Sequence, residues 1–387
     1  MIHLIETTAD LEQFCRHLSQ QEFITVDLEF LREKTYYAKL CLIQIGTKEQ
    51  AAAVDPLAKE LNLQPFFDIL ANPDIVKVFH SGRQDIEILY YLTGQIPASV
   101  FDTQVAAMVF GFGESVSYES LVKSIVKQDI DKSCRFTNWS CRPLNLKQLE
   151  YALSDVTHLV PIYLHFKELL NNSHRESWFQ EEIDVLTSPD TYNINPEDAW
   201  QKIKHRSHNA YFLTVLQKLA AWREKRAQHK NTPRQSVIKD ECLLNIAASM
   251  PKTHEELAQV RNIRKDIVSG RLADEIIAII KDCENLPRSS YVKLPKDKGN
   301  GASNSALFEL LKLLLKIKSQ ETGVVSKLIA SDDELRRLTV FQDKNNPVLK
   351  GWRYEIFGKD ALQLREGNLS ISFDKENNSI NLTATTA

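Results

Sequence analysis

Hydrophobic positions alternate with polar ones in the N-terminal part of the chain and then change to a helical spacing. Residues 23–30 (FITVDLEF), 41–47 (CLIQIGT) and 51–56 (AAAVDP) predict three successive strands, the second of them antiparallel to the first. Residues 75–80 (IVKVFH) predict a fourth strand, and residues 83–94 predict the helix that follows it. A meander followed by alternating strands and helices indicates an α/β domain with a mixed sheet.

The rest of the chain shows mainly helical periodicity. VFDTQVAAMVFGF repeats the strand-then-helix pattern, and residues 145–172 predict one long amphipathic helix interrupted by Pro161. Residues 208–286 are helical throughout in their pattern, and residues 306–375 are mostly so. We therefore expect the α/β domain to be followed by all-helical segments.

Polar stretches mark the domain boundaries. Residues 186–199 and 293–305 combine proline, glycine and polar side chains, which is typical of linkers. The last dozen residues are polar and predict disorder. The predicted organisation is a domain over 1–190, a helical domain over 206–290, a second over 300–375, and a disordered tail over 376–387.

Composition limits the class of protein. A chain of 387 residues is too long for one ordinary domain, and 43% hydrophobic with 26% charged residues is an ordinary globular balance. No apolar run has membrane-spanning length, and the first residues carry acids where a secretory signal has a basic flank. The six cysteines are scattered without metal-ligand spacing. We expect a cytoplasmic protein without disulfides, zinc or membrane association.

Charge is unevenly divided along the chain. Residues 1–200 contain 16 Lys and Arg against 29 Asp and Glu, whereas residues 201–300 contain 20 against 11. An acidic segment followed by a basic one suggests a division of labour between the two segments. Ordinary fluctuation of surface charge between domains is the alternative.

Five positions in the first domain carry candidate chemistry. Asp27 and Glu29 are two apart on a predicted strand and therefore share one face. Asp85 opens the helix after the next strand, and Tyr151 and Asp155 are four apart on the long helix. Neighbouring carboxylates repel unless a cation lies between them, and hard oxygen ligands favour Mg²⁺ or Mn²⁺.

Each of these features also has a purely structural explanation. Asp27 and Glu29 would suit an exposed strand face, and Asp85 would complement a helix dipole. Tyr151 and Asp155 would suit the surface of an amphipathic helix. Their occurrence together, on a strand, at a strand-to-helix junction and on a late helix, favours a metal-dependent site.

The same residues resemble a known family. The segments DLE (27–29), HSGRQD (80–85) and YALSD (151–155) are similar to the three exonuclease motifs of the tyrosine-type DEDD superfamily. Over nearly its full length, through YYAKLCLIQIGT, FDTQ and NWSCRPLNLKQLEYALSD, the chain resembles the bacterial ribonuclease D family. That resemblance implies an RNase H-like mixed-sheet exonuclease domain followed by two small all-helical HRDC-type domains.

The HRDC (helicase-and-RNase-D C-terminal) resemblance lies in the basic segment. The matching positions are Leu216, Trp222, Arg223, Ala227, Pro233, Ile238, Asp240, Leu243, Ile246, Ala247, Pro251 and Leu257. The loop RNIRKD (261–266) departs from the family, which often has a glycine in a basic loop there. The similarity of the third segment to a second such module is less specific.

The resemblance also implies a mechanism. Asp27, Glu29 and Asp155 would hold one divalent ion, and Asp27 would bridge to a second near Asp85, about 4 Å away, across the scissile phosphate. Tyr151 would orient the attacking water. The product would be a nucleoside 5′-monophosphate.

Three further residues are candidate substrate contacts. Leu28 and Phe30 flank the acids and would offer backbone groups and an apolar surface to the last base. His80 would contact the scissile phosphate or help to position the water, or it is a packed histidine with an ordinary hydrogen bond.

The predicted function is therefore that of a 3′→5′ exoribonuclease acting on tRNA precursors and other small structured RNAs, and we expect a monomer. A 3′→5′ DNA exonuclease of the same superfamily is the alternative, and the basic module favours RNA. A catalytically inactive RNA-binding protein is disfavoured because all five site residues are present.

Overall fold

A computed structural model describes residues 3–131, 133–134, 137–207, 209–292, 305–340 and 345–385 of the chain. These residues form two compact units. The first contains Met1–Phe30, Leu40–Ser188 and Gly301–Ala387, and the second contains Leu31–Lys39 and Pro189–Asn300. The predicted linker over 293–305 falls, apart from its last residue, outside the described residues.

A six-stranded mixed sheet organises the first unit. Its strands are β1 (Leu4–Ile5), β2 (Phe23–Leu31), β3 (Lys39–Gly46), β4 (Ala51–Val54), β5 (Val76–Phe79) and β6 (Val100–Asp102), arranged in the order β1-β4-β3-β2-β5-β6. β3 runs antiparallel to β4, whereas β2, β5 and β6 are parallel to one another. The predicted mixed sheet is confirmed, with β2 between β3 and β5.

Among the described residues up to 188, eight helices accompany this sheet. They are α1 (Thr8–Leu18), α2 (Gln64–Ala71), α3 (Arg83–Thr93), α4 (Thr103–Val109), α5 (Tyr118–Leu121), α6 (Leu146–Thr157), α7 (Leu159–Asn171) and α8 (Glu176–Leu186), with a π-helical turn at Val122–Val126. Phe66, Phe79 and Phe166 are fully buried in the core.

The long helix predicted over 145–172 is instead two helices. The break lies at His158, between α6 and α7, and not at Pro161. Proline lacks a backbone N–H and its ring collides with the carbonyl four residues earlier, which here is that of Thr157. Pro161 therefore breaks the helix about one turn before its own position, at His158.

The second unit is helical, as predicted. It contains α9 (Ala210–Lys230), α10 (Arg234–Val237), α11 (Asp240–Ser249), α12 (His254–Ala258) and α13 (Arg271–Glu284), with 3₁₀ turns at Pro189–Thr191, Pro196–Lys202 and Arg288–Ser290. Leu216, Leu243 and Ile276 belong to its core. The predicted linker over 186–199 thus contains short helical turns.

The segment between β2 and β3, Leu31–Lys39, is part of this second unit. Tyr36 is 6% exposed, and its hydroxyl donates a short hydrogen bond to the fully buried carboxylate of Glu224. Arg234 pairs with Glu224 and lies over the Tyr36 ring, 4.8 Å from its centroid. Because the buried carboxylate has both a cation and a hydroxyl as partners, its burial is compensated.

The sequence predicted a separate helical domain over residues 300–375. In the structure the C-terminal segment packs instead within the first unit. Its elements are α14 (Ser305–Thr322), α15 (Ser326–Ile329), α16 (Asp332–Leu338), α17 (Gly351–Arg353), α18 (Lys359–Glu366), β7 (Leu369–Asp374) and β8 (Ser379–Ala384), with a 3₁₀ turn at Pro347–Leu349 and a π-helical turn at Tyr354–Gly358. Val109 at the end of α4 shares a core with Leu311 and Phe357 of this segment.

Polar contacts reinforce this packing. Arg175 donates to the carbonyls of Val109 and Thr322 and stacks on Trp178. Glu182 pairs with Arg353 at 2.7 Å and accepts a hydrogen bond from Trp352. These contacts explain why the helical pattern of residues 306–375 does not produce an independent domain.

The predicted disordered tail over 376–387 is wrong for most of its length. β7 and β8 form an antiparallel hairpin in which Ile371 pairs with Leu382. Asp374 accepts hydrogen bonds from the backbone of Glu376 and Asn377, and Asn378 takes the left-handed conformation that asparagine tolerates. In this segment Ile380 and Leu382 alternate with polar residues, a pattern typical of a strand. The segment forms a strand although its overall hydrophobicity is low.

Across the described ranges, no helix combines the length and the apolar character needed to cross a bilayer. All six cysteines carry free thiols.

Candidate active site

The first pair of acids lies on a central strand of the sheet. β2 is buried from Phe23 to Val26, and its side chains then alternate between a buried Leu28 and the partly exposed Asp27 and Glu29. The two carboxylates therefore project from the same face of the strand, near its carboxyl end.

The parallel neighbour β5 leads to the next acid. Thr25 of β2 pairs with Val78 of β5, and Asp27 and His80, each two residues further along the chain, line the same cleft. Asp85 lies in the first turn of α3 and is 8% exposed. A carboxylate in the first turn of a helix is stabilised by the helix dipole.

The turn between β5 and α3 is held by another carboxylate, that of Asp102. It is 2% exposed and accepts hydrogen bonds from the backbone N–H groups of Ser81 and Gly82, the latter at 2.7 Å. It also caps α4 by accepting from Gln104 and Val105. Asp102 therefore holds the turn that leads to Asp85 in the first turn of α3.

Helix α6 supplies Tyr151 and Asp155. It begins with a capping box in which the Asn145 and Gln148 side chains each bond to the other's backbone N–H. Tyr151 and Asp155 lie one turn apart on the same face. The Tyr151 ring stacks on Trp139, with centroids 6.2 Å apart.

The loop that carries Trp139 is anchored to the sheet. Arg142 pairs with the buried carboxylate of Asp55, with a shortest distance of 2.5 Å, and donates to the carbonyls of Cys41 and Trp139. Trp139 is 2% exposed. Its indole therefore provides a fixed wall behind Tyr151.

All of the predicted site residues line a single cleft of about 580 Å³. The structure brings together Asp27, Leu28, Glu29, Phe30, His80, Asp85, Tyr151 and Asp155. Carboxylate oxygens of Asp27, Glu29 and Asp155 lie within 4.8 Å of one another. The placement agrees with the sequence-based expectation, and the roles assigned to the individual residues stay predictions.

The acids of this cleft are electrostatically unfavourable without a cation. Burial raises the pKa of Asp27 to about 7 and that of Asp155 to about 8, the charge of Asp27 adding to the second shift. Burial, followed by the charges of Asp27, Asp155 and Asp85, raises the pKa of Glu29 to about 9. Burial and the charge of Asp27 also raise the pKa of Asp85.

Such a cluster fits a hard divalent cation. Its donors are all carboxylate oxygens, the ligands that Mg²⁺ and Mn²⁺ prefer, and a bound ion would offset both the repulsion and the burial. The arrangement is therefore chemically suited to the ions that the sequence predicted.

His80 and a residue that the sequence did not reveal, Tyr118, form another wall of the cleft. Their ring centroids are 5.4 Å apart. Burial lowers the pKa of His80, against the opposing effects of Asp102 and of a hydrogen bond with the Val116 backbone. The His80 Nδ1 atom also lies 3.0 Å from the Thr103 hydroxyl. The His80 ring thus has the packing and hydrogen-bond partners that are expected of a purely structural histidine.

Tyr118 and several neighbours escaped prediction because they lie outside regular motifs. Tyr118 begins the short helix α5 after the N-cap Ser117, and Glu119 and Ile130 also line the cleft. The only signal in the sequence is the capping residue Ser117, which marks a helix start but gives no indication of a site.

Comparisons with known proteins agree with this geometry. Residues 2–171 match the family described as 3′-5′ exonuclease, and residues 212–280 match the HRDC domain. A ribonuclease D of Bartonella henselae is 42% identical over 98% of this chain and 94% of its own length. The chain belongs to the ribonuclease D family. It is a nuclease of the hydrolase class and a 3′→5′ exoribonuclease, as predicted.

Further members support the same assignment. A ribonuclease D of Granulibacter bethesdensis is 43% identical over 96% of this chain and 94% of its own length. The crystal structure of Escherichia coli RNase D superposes with a TM-score of 0.84 at 27% identity, over 95% of this chain and 99% of that one. The predicted fold, an exonuclease domain followed by a helical HRDC domain, is confirmed. The HRDC match, over residues 212–280, lies within the second unit, and the similarity of residues 300–375 to a second such module stays a prediction.

Proposed function

We propose that this ribonuclease D family member removes nucleotides one at a time from RNA 3′ ends, with two divalent ions, and releases nucleoside 5′-monophosphates. The observation that carries the proposal is the convergence of four carboxylates and Tyr151 on one cleft. Asp27, Glu29 and Asp155 are close enough for one cation to contact all three.

The acids would hold the metal ions. Asp27, Glu29 and Asp155 would hold one ion, and Asp27 with Asp85 would hold the other, directly or through water. Bound Mg²⁺ or Mn²⁺ would supply an activated water and neutralise charge on the scissile phosphate. The burial that raises the pKa of these acids in the metal-free cleft also strengthens their attraction to a cation.

Other residues of the cleft would orient the substrate. The Tyr151 hydroxyl, held by the stack on Trp139, would orient the attacking water. Phe30 and the backbone beside Leu28 would contact the last nucleotide, and His80 would face the scissile phosphate. The cleft thus offers an apolar side for a base next to an acidic side for metal ions.

The basic second unit would hold the body of the RNA. The Escherichia coli relative is described as an exoribonuclease involved in structured RNA processing. Residues 201–300 carry 20 basic against 11 acidic side chains, and Lys239, Arg261 and Lys265 are exposed there. We infer that the substrates are tRNA precursors and other small structured RNAs, that the enzyme acts as a monomer, and that its free thiols suit the cytoplasm.

The catalytic part of the proposal is tested with RNA and DNA oligomers of one sequence, each labelled at its 3′-terminal nucleotide. We expect labelled mononucleotide to be released from RNA in Mg²⁺ or Mn²⁺ and not in excess chelator. Asp27→Asn should abolish release while RNA binding persists. Preferred cleavage of the DNA would instead favour the DNA exonuclease alternative.

The binding part is tested by neutralising the exposed cations of the second unit. The triple variant Lys239→Gln, Arg261→Gln and Lys265→Gln should weaken binding of a structured RNA and flatten its dependence on salt. Each lost phosphate contact on single-stranded RNA should reduce the slope by about 0.7.

The matched control neutralises exposed lysines of the first unit. The control is Lys59→Gln, Lys359→Gln and Lys375→Gln. Equal losses of affinity and slope in both triple variants would show that net charge, and not the second unit, governs RNA binding.

A further inference from the structure

The carboxyl end of helix α6 has carbonyl groups that the helix itself does not satisfy. The last four carbonyls of any α-helix lack a partner in the helix. α6 ends at Thr157, and α7 begins at Leu159 after a single residue. Asp155, the predicted metal ligand, therefore lies in a turn whose backbone must find other hydrogen-bond donors.

Two side-chain hydroxyls provide those donors. The Tyr118 hydroxyl donates a short hydrogen bond to the carbonyl of Asp155 and lies 3.2 Å from that of Ser154. The Thr25 hydroxyl donates to the next carbonyl, that of Val156, at 2.8 Å. The carbonyls of Asp155 and Val156 are thus capped from outside the helix, whereas that of Ser154 accepts from the His158 backbone N–H.

Thr25 links this helix end directly to the catalytic strand. It lies on β2, two residues before Asp27, and it is fully buried. Because the spacing is two, the Thr25 and Asp27 side chains project from the same face of the strand. The hydrogen bond to Val156 therefore fixes the strand that carries Asp27 and Glu29 against the helix that carries Asp155.

The neighbouring strand leaves room for this link. A Cβ atom at Gly46 on β3 would lie 2.5 Å from the Thr25 hydroxyl oxygen and 3.0 Å from the Val156 carbonyl oxygen. Any side chain at this position would displace the hydroxyl, the carbonyl or both. The backbone of β3 thus passes close to the bond without obstructing it.

Tyr118 makes a second connection, from the wall of the cleft that it shares with His80. Its ring lies against His80 and lines the cleft beside Asp155. Its hydroxyl is directed to the backbone of α6 and not to a carboxylate. Tyr118 therefore contributes to the site through the position of the helix, in addition to forming part of the wall.

We propose that Thr25 and Tyr118 are positioning residues whose hydroxyls hold Asp155 in register with Asp27 and Glu29 for metal binding. This inference rests on the metal site of the proposed function. Residues that orient metal ligands commonly change metal affinity by 10- to 100-fold when they are lost. Small displacements matter because ligand geometry must be held within about 0.5 Å.

The test measures Mn²⁺ binding to the full-length protein by titration calorimetry, without RNA, and thermal unfolding without metal. Thr25→Val removes the hydroxyl and keeps the shape of the side chain, and Tyr118→Phe keeps the ring against His80. We expect each variant to raise the Mn²⁺ dissociation constant about tenfold or more. Thr25→Ser, which retains the hydroxyl, should restore most of the affinity.

A matched control separates positioning from general stability. Thr214 in α9 is 1% exposed, and its hydroxyl donates to the carbonyl of Ala210 at 2.7 Å. Thr214→Val should lower the unfolding temperature and leave the Mn²⁺ dissociation constant unchanged. If Thr25→Val does not fold, Tyr118→Phe decides the question, since it removes only one oxygen atom.

The outcomes distinguish this inference from the proposed function. If the unaltered protein bound no Mn²⁺, the metal-dependent function itself would be wrong. If it bound Mn²⁺ and both Thr25→Val and Tyr118→Phe bound it equally well, the positioning role would be overturned, even if both variants were less stable.

Discussion

Replacing Glu29 with glutamine should stabilise the metal-free protein at alkaline pH while weakening its stabilisation by divalent ions. The oxygens of Asp27, Glu29 and Asp155 lie within 4.8 Å of one another. Two unit charges at that separation repel by about 3.5 kcal/mol at an effective dielectric constant of about 20. Glutamine keeps the size of the side chain and cannot ionise, so it never adds a charge to this cluster.

The pKa of Glu29 determines the pH range of the effect. Burial and the neighbouring acids raise this pKa from 4.5 to about 9. The folded protein therefore retains a proton that the unfolded chain releases, and the free energy of unfolding falls as pH rises between these two values. The part of the shift that lies between 4.5 and pH 8 would lower the free energy of unfolding by about 5 kcal/mol, at about 1.4 kcal/mol per pH unit. Because Glu29 is partly exposed, solvent screening reduces this energy. We therefore expect the free energy of unfolding of Glu29→Gln at pH 8 to exceed that of the unaltered protein by about 2 kcal/mol.

The assay is urea unfolding of the full-length protein in excess chelator and then in excess Mn²⁺. At pH 8 in chelator, Glu29→Gln should be more stable than the unaltered protein, and at pH 5 the difference should shrink below about 1 kcal/mol. In Mn²⁺ the order should reverse, because the variant has lost a ligand. Glu60→Gln, at an exposed position, is the control and should not change the pH dependence. A Glu29→Gln variant less stable than the unaltered protein at pH 8 in chelator would refute the reasoning.

Four further predictions concern catalysis. Asp155→Asn should reduce turnover by well over tenfold without loss of RNA binding. Turnover above about a tenth of the normal value, which corresponds to less than ~1.4 kcal/mol, would contradict the role of Asp155 as a metal ligand. Tyr151→Phe should lower single-turnover cleavage by roughly 10²–10⁴-fold while Mn²⁺ still binds in calorimetry, and normal turnover would leave Tyr151 as a helix-surface residue. A 3′-phosphate or circular closure should block RNA degradation on gels whereas a 5′-phosphate should not, and cleavage of a circle would reveal an endonuclease. Trp139→Leu should slow cleavage much less in a Tyr151→Phe background than in the unaltered enzyme, and equal effects in both would show that the stack does not act through Tyr151.

The parts of the site that the sequence predicted are those with a local pattern. Asp27 and Glu29 follow an apolar run and are two apart, so the strand period alone places them together. Tyr151 and Asp155 are placed together by the helical period in the same way. Each pair could therefore be assigned to a face before the fold was known.

The parts that the sequence could not predict depend on contacts between distant segments. The hydrogen bond from Thr25 to Val156 joins residues 131 positions apart, and that from Tyr118 to Asp155 joins residues 37 apart. A hydroxyl in a strand or a short helix has many possible partners, and periodicity does not choose among them. The position of the helix break could not be predicted for a similar reason. The sequence suggests a break at Pro161, but proline disturbs the preceding turn, and the break lies at His158.

The C-terminal segment shows why a repeated helical pattern is poor evidence for an independent domain. Residues 306–375 have a regular apolar spacing, yet part of their apolar surface is covered by Val109 and Trp178 of the exonuclease fold. The sequence indicates how much surface must be buried and does not indicate against which segment. The HRDC segment, in contrast, has a self-contained core around Leu216, Leu243 and Ile276.

The shared core of the C-terminal segment has a genetic consequence. At Gly111, with φ of +77°, a Cβ atom would lie 2.1 Å from the Gly323 carbonyl oxygen, so the two backbones are in close contact. A premature stop codon after residue 300 would remove this cover and leave Val109 and Phe110 open to water. The shortened polypeptide would retain every acid of the cleft and yet expose an aggregation-prone apolar surface. Nonsense alleles late in the gene should therefore behave as nulls through aggregation or proteolysis, and not as partially active minimal nucleases.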